Sequence, residues 1–317
     1  MDTASSTLNL FKALSDECRL RILRAVSQAE LSVAELVRVL GQPQSTVSRH
    51  LKPLRETGLL ETRRNGTSVF YHRGPAFSDP ELNQVIDRSL AQISGANEDK
   101  ASVRLILNQR ISRNRDFFDD LAGRYGSLTE PGGGWSAVAA ALAIGFSGCK
   151  VADVGAGEGA LTLSLARFCE LVVAVDLSPR MLMTLRDTAE AAGLGDKVQT
   201  EEGELEKLPI EDGEMDAVFI SQALHHASQP AAAIKEAARV LRPGGRLLIL
   251  DLIAHEQEWV RDQYADLWLG FEPKQLELYF TEAGLQTGEV AQLPGATPDL
   301  PILLMTAQKP KMTKDGL

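Results

Sequence analysis

The 317-residue sequence predicts a two-part α/β protein: a small, mostly helical domain finished by a β-hairpin, then a doubly wound parallel sheet. Three observations predict it. Apolar residues recur at helical spacing through the first sixty or so positions, until Asn65-Gly66, a strong hairpin signal, divides two short strand-like runs. From residue 136 onward, apolar strand patterns alternate with helical ones, as in a parallel sheet covered on both faces. Charge divides along the chain as well. Residues 1–100 carry 13 Lys+Arg against 12 Asp+Glu, residues 101–317 carry 20 against 31, and within 45–74 six basic side chains meet only Glu56 and Glu61.

Bulk composition excludes several classes. With 44% hydrophobic and 24% charged residues the chain is of ordinary globular type, long enough for two cores. Cys18, Cys149 and Cys169 are odd in number and lack CxxC spacing, which argues against a disulfide framework or a thiolate zinc site. The N-terminus lacks the basic start and apolar run of a signal peptide, and no stretch reaches 18 uninterrupted apolar residues. The expectation is a soluble, cytoplasmic protein without a membrane partner.

The elements follow in order. LNLFKALSDECRLRILRAV reads as two helices meeting at Ser15-Asp16, and LSVAELVRVLG as a short third helix stopped by Gly41. In QPQSTVSRHLKPLRETGLL, Ser45 and Thr46 read as caps, Val47, Leu51 and Leu54 face inward, and Pro53 is expected to kink or shorten the helix. LLETRRNGTSVFYHR completes the hairpin. Helix, helix, recognition helix and basic hairpin make a winged helix-turn-helix, whose recognition helix enters the major groove. Gln44, Ser45, Thr46, Ser48, Arg49, His50 and Lys52 are the candidates for that groove in a double-stranded operator. Arg63, Arg64 and Arg73 of the wing are the candidates for phosphates.

The stretches FKALSDECRLRILRAV, STVSRHLKPLRETGLL and RRNGTSVFYH resemble the ArsR family of bacterial repressors across about residues 8–92. The resemblance implies a homodimer, built by the first helix and by DPELNQVIDRSLAQI after the wing. Many members sense metals through a cysteine pair, but here Ser32 and Ala34 stand where the thiolates would be, and neither replaces them. The post-wing helix also has no histidine for the family's other metal site. No metal is expected, either as the signal or elsewhere in the chain.

SGANEDK (94–100) reads as a boundary, followed by a helical stretch and then TEPGGGW. The expected division is 1–98 for DNA binding and dimerisation, 99–134 for a helical linker and lid, 135–312 for the α/β domain and 313–317 for a tail. In that domain the strands KVADVG, LVVAVD, KVQTEEG, DAVFISQ and RLLILDL alternate with helices, and LQTGEVAQL and LPILLMTAQK close it as a strand pair. A ligand belongs over the carboxyl ends of such strands. The first turn is Asp153-Val154-Gly155-Ala156-Gly157-Glu158-Gly159, where Gly155 and Gly157 permit close backbone approach. Asp176, ending the next strand, is placed to accept from two ribose hydroxyls. GxGxG spacing, with Asp153 where a pyrophosphate would lie, favours a ligand with a ribose and an amino group but no phosphate. S-adenosylmethionine or S-adenosylhomocysteine fits.

VADVGAGEG, VVAVDLS, EGELEKLP, SQALHH and RVLRPGGRLLILD resemble, in order, class I methyltransferases with the Rossmann-like fold, near the ubiquinone-biosynthesis enzymes. Carried over by position, Asp153, Gly155, Ala156 and Gly157 hold the methionine part. Asp176 holds the ribose, with Leu177 and Met181 on the adenine and Glu204 and Leu205 at its edge. Ser221 and Gln222 face the sulfonium, and Phe117, Phe118 or Tyr125 caps the pocket. His225 and His226 are the candidate general bases if methyl transfer occurs, His226 the better placed, against a plain packing role. His255 and Glu258 suggest a surface pair. Trp259, Tyr264, Trp268 and Phe271 are read first as structural and second as a pocket cover. The fusion resembles repressors of the methionine cycle for which S-adenosylhomocysteine is the signal. Two alternatives stay open: an active methyltransferase of a small molecule carrying a regulatory domain, or a protein doing both.

Overall fold

The computed structural model describes residues 3–123, 143–295 and 299–311, and the chain divides into two compact units, Met1–Gln109 and Arg110–Leu317. The first opens with α1 (Thr3–Leu14), α2 (Glu17–Val26), α3 (Val33–Leu40) and α4 (Gln44–Glu56). Asp16 caps α2 by accepting from the Arg19 amide. Ser32 and Glu35 form a capping box at the start of α3, so the serine at the expected thiolate position serves as a helix cap.

α4 starts earlier than its polar residues suggest. Pro43 occupies the cap position without a side-chain bond, which puts Ser45 and Thr46 inside the first turn rather than capping it. Pro53 lies in the last turn and does not shorten the helix, which runs on to Glu56. Val47, Leu51 and Leu54 are buried with Ile22, Leu23 and Leu36. Each such burial contributes about 1.5–3 kcal/mol.

In the wing, β2 (Leu60–Asn65) pairs antiparallel with β3 (Ser68–Arg73), and β1 (Leu31–Ser32) pairs with the other side of β3. Asn65 faces Ser68, so the turn centres on Gly66-Thr67, one residue later than Asn65-Gly66. α5 (Pro80–Gln92) follows with Asp79 as cap, and α6 (Ala96–Leu121) begins directly after a turn at Gly95. The polar stretch SGANEDK is thus largely helical. Its Asp99 is fully buried, bonded to Arg21 at 2.6 Å and Arg24 at 2.5 Å. Arg24 also donates to the carbonyls of Leu90, Ile93 and Ser94, closing the end of α5.

The second unit is a seven-stranded sheet. Its strands are β4 (Lys150–Val154), β5 (Leu171–Asp176), β6 (Val198–Glu202), β7 (Met215–Ser221), β8 (Leu241–Leu252), β9 (Gln286–Leu293) and β10 (Ile302–Gln308). They lie in the order β6-β5-β4-β7-β8-β10-β9, parallel through β8 and antiparallel in the closing pair. The connecting helices are α7 (Ala160–Ala166), α8 (Pro179–Ala191), α9 (Pro230–Val240), α10 (Trp259–Tyr264) and α11 (Pro273–Glu282). The strands run outward from β4 to β6 and resume at β7 on the other side of β4, so a ligand crevice falls at the carboxyl ends of β4 and β7. Trp268 and Phe271 are core residues, the Trp268 indole donating to Ala227 O at 2.7 Å, while Trp259 is exposed and packs on Tyr264. Among the described residues no helix is long and apolar enough to cross a membrane.

Candidate functional site

Three glycines after β4 act in three ways. All have positive φ, at +75° for Gly155, +54° for Gly157 and +87° for Gly159. A Cβ on Gly155 would lie 2.3 Å from the Ala223 Cβ, and one on Gly159 would lie 1.9 Å from a Leu185 methyl. Gly157 alone faces open space, with nothing within 4 Å. Its amide donates to Asp176 Oδ2 at 2.8 Å, and the Ser178 amide donates to Asp176 Oδ1 at 2.9 Å. The loop and the end of β5 are thereby joined, and a carboxylate has acceptor capacity beyond these two bonds. Burial raises the Asp176 pKa above the usual carboxylate value, against the pull of those amides.

Asp153 is placed differently from the expectation. It is buried, and its Oδ2 accepts from the Thr162 hydroxyl at 2.6 Å. Burial raises its pKa to about 6, with the Thr162 bond opposing and the Asp176 charge adding. Ala156 packs against Ala174, Leu182 and Leu185. Met181 is only 1% exposed, Leu177 half-buried. Glu204 and Leu205 are half-buried in the turn after β6, where the Lys207 amide donates to the Glu204 carbonyl at 3.0 Å. Ser221 and Gln222 end β7, and Gln222 takes φ +53°, rare for a residue with a side chain and frequent at functional sites.

The last turns of α6 lie across these strand ends. Asn114 donates to His226 O at 2.6 Å, Arg115 donates to Leu177 O and Glu202, and Asp119 accepts from Ser178. Phe118 stacks edge-on against His226 at 4.8 Å, with Phe117 behind it at 5.3 Å. Of the expected capping aromatics, Tyr125 falls outside the described residues. Asn114 and Arg115 were not among the sequence candidates, because polar residues on a long helix give no periodic signal.

A buried acid–histidine group sits beside this crevice. His225 Nδ1 lies 2.7 Å from Asp251 Oδ1, and Asp251 Oδ2 accepts the amides of Leu224 and His225. His225 Nε2 points to Asp266 Oδ1 at 3.7 Å. Burial opposes charge on His225, but Asp251 and Asp266 outweigh it and raise its pKa to about 9. Burial and the His225 charge push His226 well below the ordinary histidine value, so it is neutral near pH 7. The adjacent histidines and an aspartate ending RLLILDL were the only sequence signals for this group. His255 does not pair with Glu258: its Nδ1 accepts from the Gln257 amide, and Glu258 bonds Arg261 at 3.0 Å.

On α4, Gln44, Ser45, Ser48, Arg49 and Lys52 are exposed and Thr46 partly so. His50 departs from the expected outer face, its ring turned to Asp16 at 3.3 Å. On the wing, Arg64 is exposed, but Arg63 is paired with Glu30 at 3.0 Å. Arg73 binds Asp87 and Asn83 and lies over the Phe77 ring at 4.5 Å. Two of three expected phosphate contacts are therefore engaged within the unit.

Residues 16–62 match the model of bacterial regulatory proteins of the arsR family, and residues 152–249 that of a methyltransferase domain. The chain thus carries an ArsR-type DNA-binding domain and a methyltransferase domain. An uncharacterized methyltransferase of Mycobacterium tuberculosis is 45% identical over 114 residues, covering 36% of this chain and 44% of the relative. The chain therefore spans less than half the length of that relative. The ubiquinone/menaquinone biosynthesis C-methyltransferase of Pseudomonas putida is 28% identical over 174 residues, covering 52% of this chain and 68% of the enzyme. Two solved structures share the fold. One is a chain from the complex of the Haloferax volcanii Trm112 methyltransferase activator with a methyltransferase, at TM-score 0.53 and 23% identity, covering 63% of this chain and 99% of that one. The other is the [4+2]-cyclase SpnF, at TM-score 0.50 and 21% identity, covering 57% and 81%.

Proposed function

We propose that this chain is a homodimeric transcriptional repressor whose second unit binds S-adenosylhomocysteine or S-adenosylmethionine as its signal, in control of methionine-cycle genes. The observation that carries the reading is the joined loop and strand end. Asp176 accepts the Gly157 and Ser178 amides and has acceptor capacity left for ribose hydroxyls, beside the open face of Gly157. The ArsR-type domain, with Ser32 and Ala34 at the thiolate positions, supports it, because the signal then has to come from elsewhere.

In this reading Gly155, Ala156 and Gly157 run along the methionine part. Leu177 and Met181 bound the adenine, Glu204 and Leu205 its edge, and Ser221 and Gln222 the sulfonium side. Asp153, engaged with Thr162, shapes the loop and supplies negative potential rather than gripping the amino group. Gln44, Ser45, Thr46, Ser48, Arg49, Lys52 and Arg64 face the operator.

The alternative is an active methyltransferase, favoured by the names of its relatives and by a neutral His226 beside the crevice. A fold does not decide the chemistry on it. The test is calorimetric titration with each S-adenosyl ligand, followed by DNA-shift assays on an operator selected from random duplexes. The sensor reading requires tight binding and a ligand-dependent change in DNA affinity, both lost in Asp176→Ala. Binding of both ligands with unchanged DNA affinity would refute it in favour of the enzyme.

A further inference from the structure

Beyond β7 and β8, buried polar atoms converge without partners. Asp251 fixes the His225 ring: its carboxylate takes the Nδ1 hydrogen at 2.7 Å and two amides of the same turn. The Nε2 of His225 is thereby directed at Asp266 Oδ1, 3.7 Å away, within ion-pair reach but too far for a hydrogen bond. Asp266 is only 4% exposed, and its Oδ1 has no hydrogen-bond partner. Nor does His226 Nδ1. Asp266 Oδ1 and His226 Nδ1, both buried without hydrogen bonds, are costly to leave so. A proton on His225 Nε2 meets only Asp266, at ion-pair distance, and leaves His226 Nδ1 unsatisfied, whereas a metal ion that displaces that proton serves all three.

We propose that His225, His226 and Asp266 bind a first-row divalent metal ion of the zinc class. One donor atom from each of the three lies within 4.8 Å of the other two. Two ligands on one ion, with bonds of about 2.0–2.2 Å, sit roughly 3.3–3.7 Å apart. The His225–Asp266 separation of 3.7 Å already meets this, and the His226 donor, within 4.8 Å of both, has to close the rest on binding. Asp251 supplies the outer carboxylate that holds a ligating imidazole in the required tautomer. Two imidazoles select this class over magnesium or calcium. Three protein ligands leave a coordination position for water or a bound molecule. Ala223, two residues before His225, is the residue packed against Gly155, so the ion would stand beside the crevice. The sequence led to an expectation of no metal anywhere in the chain, drawn from the cysteines and the first domain's missing ligands, and this cluster runs against it. The proposal stands apart from the S-adenosyl reading.

The test uses the full-length chain, stripped with a chelator and titrated with Zn²⁺ in competition with a chromogenic chelator. One ion per chain is expected. Asp266→Asn and His226→Gln should each weaken Zn²⁺ binding about 100-fold or more, and Asp251→Asn by about 10–100-fold. Absence of stoichiometric Zn²⁺ binding, or wild-type affinity in Asp266→Asn and His226→Gln, would overturn the site. Should one variant not fold, the other decides. In the wild-type chain, Co²⁺ should shift the nuclear magnetic resonance signals of two histidine rings, and Co²⁺ binding that shifts none overturns the proposal independently of any variant.

Discussion

Asp153 shows how a residue's type can be legible while its contacts are not. The sequence places a carboxylate at the end of the first strand of the sheet; the fold buries it against Thr162 and raises its pKa to about 6. A folded-state pKa above the ordinary 3.8 means that the folded chain holds the proton more tightly than the unfolded one. The corresponding stability is fully present at low pH and is lost as pH rises through about 6. The loss approaches about 3 kcal/mol. Asp153→Asn should therefore be more stable than wild type above pH 7, the gap closing toward pH 4, in denaturant unfolding at each pH. Parallel profiles would show that burial does not set this pKa. The wing arginines separate in a similar way. Arg64→Ala should weaken DNA binding on all sequences and lower the salt slope by about 1. Arg63→Ala, which breaks a half-buried pair with Glu30, should lower the thermal midpoint and leave the slope nearly unchanged.

At the scale of the element, the glycine loop makes three separable contributions. Gly155→Ala and Gly159→Ala each add a Cβ at an impossible distance and at positive φ, so both should destabilise by about 1–3 kcal/mol or more. Gly157→Ala meets only the conformational cost of about 1–2 kcal/mol, and should instead lose affinity for the S-adenosyl ligand. Unfolding and calorimetry on the three variants check this split; similar binding losses in folded Gly155 and Gly157 variants would sink it. The glycine pattern was legible because positive φ selects glycine in the sequence. So were the seven strands of the sheet and helices α2–α5, since periodicity and turn residues record them directly. The partnerships were not legible. Asp99 reads as part of a polar linker, yet it lies fully buried between Arg21 and Arg24, because pairing across 75 or more positions leaves no local trace. Asp99→Ala should cost about 3–5 kcal/mol, as removal of one partner strands buried guanidinium charge. A chemical-denaturation change below 1 kcal/mol would show that the cluster is solvated. The same reasoning explains why Asp251 and Asp266 were missed while His225 and His226 were named.

At the scale of the whole molecule, the resemblance expects α1 and α5 to build a dimer. Phe11 on α1 is 64% exposed and Val85 on α5 is 62% exposed, an unusual placement for large apolar side chains. Phe11→Asp with Val85→Asp should sediment as a monomer and lose most of its operator affinity, while the helical signal in circular dichroism persists. Whether ligand and DNA are coupled is then a thermodynamic question. If an S-adenosyl ligand lowers operator affinity by some factor, operator must lower affinity for that ligand by the same factor; roughly 5–150-fold corresponds to about 1–3 kcal/mol. Titrating the ligand into free protein and into the protein–operator complex measures that factor from the other side. A tethered enzyme has no such obligation, because a ligand with equal affinity for the free and DNA-bound chain shifts nothing, however tightly it binds. Equal factors in the two experiments identify the second unit as the sensor of the first. Identical ligand affinities with and without operator identify two independent binding units on one chain.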